Sequence, residues 1–126
     1  MSFNVGHTTF SFTMRVPDAD AAAVDELFAS HAAWMQETHS VNEEEGKLHT
    51  LEYYVSKAPE LSDMMYPSKG TTGHVVYVVS EVHKDDEHFG KHVELGQSWG
   101  RINEFFGLFE TYNPLVTMAG RVVAKL

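Results

Sequence analysis

Residues 7–16 alternate without interruption. Thr8, Phe10, Phe12, Met14 and Val16 fall on one side, and Thr9, Ser11, Thr13 and Arg15 on the other. Successive side chains of a strand point to opposite faces, so this segment is a β-strand with one strongly apolar face that something must cover. The same period returns at 47–57, where His49, Leu51, Tyr53 and Val55 oppose Thr50, Glu52 and Tyr54. It returns again at 116–125, where Val116, Met118, Val122 and Ala124 oppose Thr117, Ala119, Arg121 and Val123. Residues 74–83 carry Val75, Val76, Tyr77, Val78, Val79 and Val82 on both faces, the mark of a strand in the middle of a sheet.

Helical periodicity fills the gaps. Over 20–39, Val24, Leu27, Phe28, His31, Trp34, Met35 and Thr38 form one stripe, with Asp25, Glu26, Ser30 and Glu37 behind it. A second helix opens at Lys84-Asp85-Asp86-Glu87, with acids at the positive end of its dipole. Phe89, His92, Val93, Gly96, Trp99, Asn103 and Phe106 are its stripe, with a break expected near Gly96. Residues 58–73 hold Pro59, Pro67, Gly70 and Gly73 without a period and read as a loop packed by Met64, Met65 and Tyr66. The order β-α-β-β-α-β predicts an α+β, ferredoxin-like domain spanning 1–126. It has a four-stranded antiparallel sheet in the order 4-1-3-2, with both helices on one face.

Composition narrows the function classes. At 126 residues the chain holds one domain. It has no cysteine, which excludes disulfides, thiolate metal sites and a cysteine nucleophile. A net charge of −9 repels polyanions and argues against nucleic acid as partner. Apolar runs are too short to span a membrane. The segment Met1–His7 lacks the basic and apolar regions of a signal peptide, so a cytoplasmic location is expected.

Two helices leave the other sheet face uncovered. By parity that face carries Arg15, Glu52, Tyr54, Tyr77, Val79, Glu81, Thr117, Ala119, Arg121 and Val123. A mixed patch of this kind marks an interface, and pairing two sheets into a barrel would bury it. Arg15 and Arg121 against Glu52 and Glu81 would make the face self-complementary about a two-fold axis. The alternative is an amphipathic sheet left in solvent.

The stretch Val76–Val82, followed by Asp85-Asp86-Glu87-His88-Phe89-Gly90-Lys91-His92, resembles the dimeric α+β barrel superfamily. That group contains antibiotic-biosynthesis monooxygenase-like and stress-responsive α/β-barrel proteins. The match is a valine-rich strand, an acidic helix start and Phe89-x-x-His92. The resemblance implies a homodimer and a pocket between helices and sheet that His92 faces. It covers oxygenases, haem degraders, isomerases and proteins without known reaction. Haem degraders converge an asparagine, a tryptophan and a histidine on their ligand. Asn4, Trp99 and His92 do not fall into that motif by position, so haem is not implied.

Candidate site residues follow from the stripes. His92 and His31 sit mid-stripe on different helices, each aimed at the sheet, and are the candidate catalytic residues, as general base or hydrogen-bonding groups. Each could equally be a core histidine satisfied by a neighbour. Phe10, Phe12, Leu27, Trp34, His49, Tyr53, Phe89 and Trp99 would line a pocket for a planar ligand. His88 and His92 share a helix face, but no third ligand accompanies them, so no metal and no cofactor is expected. The expected function is binding of a small apolar or aromatic molecule by a homodimer. Turnover would be monooxygenase-like without metal or flavin. A non-catalytic, stress-associated binding dimer is the alternative, and a haem- or metal-binding variant a further one.

Overall fold

The computed structural model describes residues 3–126; the reading of the N-terminal segment takes in Met1 and Ser2, which lie outside them. Strand β1 (Thr8–Pro17) leads through a short 3-10 turn into helix α1 (Ala21–Thr38). Two short strands follow, β2 (His39–Ser40) and β3 (Leu48–His49), paired in parallel with each other. Then come β4 (Glu52–Leu61), β5 (Thr71–His83), α2 (Asp86–Gly96), α3 (Ile102–Tyr112) and β6 (Leu115–Arg121). The main sheet runs β4-β5-β1-β6 with every neighbouring pair antiparallel. This is the expected order, with the two most apolar strands central, and it is compatible with a ferredoxin-like fold.

One face of the sheet carries the core. Phe10, Phe12, Met14 and Val16 of β1 pack with Tyr77 and Val79 of β5 against Val24, Leu27 and Phe28 of α1. Phe89 of α2 and Phe105 and Leu108 of α3 complete the cluster. Fully burying each such side chain stabilises by about 1.5–3 kcal/mol. Polar groups tie the helices down at their ends. Asp85 caps α2 by accepting the His88 N–H at 2.8 Å. Tyr77 donates its hydroxyl to Asp25 of α1 at 2.7 Å.

The strand parities need two corrections. Tyr77, Val79 and Glu81 face the helices, not the open side. They stand opposite Met14, Phe12 and Phe10 in the antiparallel register, and opposed residues share a face. A strand apolar on both sides gives no pattern by which to tell them apart. Arg121 also faces the helix side. A bulge in β6 opposite Phe10, with Ala119 at φ 50°, shifts the phase by one residue and sets Arg121 opposite Thr8. There it donates to Asp86 at 2.7 Å. Arg15 and Glu52 stay on the open face, and Arg15 makes a two-bond pair with Glu60, both at 2.8 Å.

Other boundaries differ for local reasons. The segment read as one strand over 47–57 is two: β3 pairs with β2, and Leu51 joins Val82 and Val122 in a second cluster. The segment read as a loop over 58–73 is mostly hairpin, because β4 runs to Leu61 and β5 starts at Thr71. Pro59 is tolerated because β4 is an edge strand with an irregularity after that residue. Met64, Met65 and Tyr66 do not pack the turn; they stand 59–80% exposed. The break at Gly96 is as expected. It rotates α3, so that Phe105 and Leu108 are buried while Asn103 and Phe106 are exposed.

Candidate functional site

Between the helices and the sheet lies a cavity of about 400 Å³. Its wall is aromatic and aliphatic: Phe10, Trp34, Phe89, Trp99, Phe105, Phe106 and Phe109, with Val93, Ile102 and Met118. Into this wall open His31, Glu81 and His92, with Gln97 and Glu110 beside them. Of the expected lining residues, Phe10, Trp34, Phe89 and Trp99 are in place, as are both histidines. Phe12 and Leu27 are core residues that do not line it. Tyr53 reaches it only through His31. His49 is elsewhere: it lies on β3 and bonds the Val41 carbonyl at 3.1 Å.

Strand β5 delivers the charged floor. Glu81 and His83 are two residues apart and so share a face; both are essentially inaccessible. Helix α2 brings His92 down onto them. Glu81 Oε1 lies 2.9 Å from His83 Nε2 and 3.1 Å from His92 Nε2. An isolated buried carboxylate would be strongly destabilising, so these contacts are what permit one here. Burial works against its ionisation. The charge of His92 and the hydrogen bonds from His83 and His92 outweigh burial and hold the carboxyl well below the usual carboxylate range. Its other oxygen, Oε2, is buried and has no hydrogen-bond partner among the described residues, and neither has His83 Nδ1.

Behind His92 runs a chain of bonds that fixes the protons. Thr38 gives its one hydroxyl proton to the Trp34 carbonyl at 2.7 Å. Its oxygen must therefore accept from His39 Nδ1, also at 2.7 Å. Burial above all, and then the neighbouring His92, lowers the His39 pKa to about 4, so this ring is neutral at pH 7. With its proton on Nδ1, His39 accepts at Nε2 from His92 Nδ1 at 2.8 Å. His92 thus donates from both nitrogens, to His39 behind and to Glu81 in front. The network assigns an imidazolium–carboxylate pair on the cavity floor.

His31 occupies a separate position on the wall. It is stacked on Phe105 at 5.0 Å and lies edge-on to Trp99 at 5.1 Å. Burial lowers its pKa to about 4, against the opposing pull of Glu81. The Tyr53 hydroxyl, whose ionisation burial suppresses, shares a hydrogen bond with His31 Nδ1 at 2.7 Å. His31 and His92 share the cavity but make no bond to each other among the described residues, so they are not one acid–base couple.

Comparison with protein-family models, curated proteins and solved structures finds no match. The chemistry must therefore be read from the site itself. Sequence reasoning missed Glu81 as a floor residue, and His83 and His39 altogether. The Glu81-x-His83 spacing was a usable signal, because it puts two polar groups on whichever face also holds Tyr77 and Val79. His39 gave none, since its role depends on where the chain turns after α1.

Proposed function

We propose that the protein binds a small, largely apolar or aromatic molecule in this cavity and presents the molecule's polar group to Glu81. The observation that carries this reading is a buried, ionised carboxylate in the lining of a largely aromatic cavity, with one oxygen, Oε2, left without a hydrogen-bond partner among the described residues. Such an oxygen calls for a donor, so the ligand carries a hydroxyl or an N–H. Donating to Oε2 would set the ligand's polar group beside the His92 imidazolium, which stabilises the anion that the ligand forms on ionising. The resemblance to monooxygenase-like α+β barrels supplies a reaction class. The ligand anion is the reductant of dioxygen; an activated methylene becomes a carbonyl, and the second oxygen atom leaves as water with both methylene hydrogens. Metal and flavin take no part in that reading.

A homodimer joined through the open sheet face belongs to the same proposal. That face carries Tyr54, 46% exposed, beside the partly exposed Val76 and Val78 of central strand β5. The Arg15–Glu60 pair and Glu52 give it a polar rim.

The chain's two tryptophans both line the cavity, so intrinsic fluorescence reports on it directly. Titration of chelator-treated protein with 1-naphthol and with naphthalene tests the reading. Saturable quenching is expected for both, with naphthol bound about tenfold more tightly through its hydroxyl. Absence of saturable quenching, or equal affinity for the two, would overturn it.

A further inference from the structure

We propose that Glu81, His83 and His92 form a binding site for a divalent transition-metal ion of the iron-to-zinc series. This goes beyond the function proposed above, which uses Glu81 as a metal-free carboxylate and is tested in chelator. One carboxylate and two imidazoles converge so that one ligand atom from each lies within 4.8 Å of the other two. The two spacings about Glu81 Oε1, 2.9 and 3.1 Å, match adjacent ligands of a six-coordinate ion. With metal–ligand bonds of about 2.1 Å, adjacent ligands of an octahedron stand about 3.0 Å apart. An ion could therefore enter between these atoms with little movement of strand or helix.

Three further observations point the same way. The buried Glu81 Oε2 has no partner, and a second carboxylate oxygen can chelate an ion or orient a water bound to it. His92 already has the outer support that ligating histidines use. Its Nδ1 is held by His39, which Thr38 holds, which is anchored on the Trp34 carbonyl. And Glu81 and His92 open into the cavity, so an ion held by three protein groups on this floor would keep free positions toward a ligand. Two imidazoles select against magnesium and calcium, which favour all-oxygen shells. Half-buried His88, four residues before His92, bonds Asp85 instead and is not part of the set.

Cobalt(II) is the probe, because its visible ligand-field bands report coordination without any assay of turnover. Metal-stripped protein is titrated with cobalt(II), and bound metal is counted after equilibrium dialysis. One ion per chain is expected, with visible bands that zinc abolishes by displacement. Glu81→Gln and His92→Gln should each weaken binding at least a hundredfold, while His88→Gln binds as the parent does. Should the first two fail to fold by near-ultraviolet circular dichroism, His39→Gln carries the test, with an expected weakening of ten- to a hundredfold. No saturable binding by the parent, loss in His88→Gln as large as in His92→Gln, or an unchanged His39→Gln would each overturn the site. The naphthol titration in chelator is independent of all these results, so failure of the metal site and failure of the ligand reading are told apart.

Discussion

At the scale of single residues, the site is governed by which groups are charged in a nearly dry interior. His31 is neutral when folded and titrates at about 4, against an unfolded value near 6.5. Between those values the unfolded chain binds more protons than the folded one. The contribution of this residue is therefore fully present above pH 6.5 and is lost as pH falls toward 4, up to about 3 kcal/mol. The urea midpoint should fall across that window, and less steeply in His31→Phe. Glu81 behaves in the opposite sense of charge but the same sense of pH. Its carboxyl ionises more readily folded than unfolded, so its contribution disappears only below the ordinary carboxylate range. Glu81→Leu strands the His92 charge and should cost about 3–5 kcal/mol by denaturant unfolding. The double change Glu81→Leu with His92→Leu removes both charges and should cost distinctly less.

At the scale of elements, what was legible in the sequence was what periodicity can express. Strand β1 reads correctly because Phe10, Phe12, Met14 and Val16 alternate with polar residues and all four are buried. Phe12→Ala should therefore destabilise by about 3–5 kcal/mol in chemical unfolding, since that ring touches Phe28, Phe105 and Phe109. Helix α1 and the break at Gly96 were legible for the same reason. Strand β5 was legible as central but not in phase, because valine on both faces leaves only Glu81 and Tyr77 to decide, and a charge suggests solvent. The neighbouring strand held the answer: pairing with β1 forces Glu81 to the side of Phe10. The bulge in β6 was not legible at all. Ala119 takes a left-handed φ of 50° that nothing in Met118-Ala119-Gly120 announces, and it moves Arg121 from one face to the other. Ala119→Gly should leave the fold intact and be neutral or mildly stabilising by thermal unfolding, since glycine adopts that φ without strain.

At the scale of the molecule, the fold separates two surfaces with different tasks. The helix side of the sheet closes over the cavity, and the other side is the proposed dimer face. A dimer through that side would bury on the order of 1,200–2,000 Å² or more. Sedimentation equilibrium at micromolar concentration should give twice the chain mass, and Tyr54→Lys with Val78→Lys should give the monomer while leaving naphthol binding intact. The tip of the β4–β5 hairpin, with Met64 80% and Met65 72% exposed, stands free to extend that contact.

A ligand in the cavity should meet Glu81 Oε2 with its donor group. A crystal structure of the chelator-treated protein grown with 1-naphthol tests it most directly. The naphthalene ring is expected between Trp99 and Phe89, with its hydroxyl oxygen at a hydrogen-bond distance of about 2.5–2.7 Å from Glu81 Oε2. A ring bound outside the cavity, or one inside it with the hydroxyl turned away from Glu81, would contradict it.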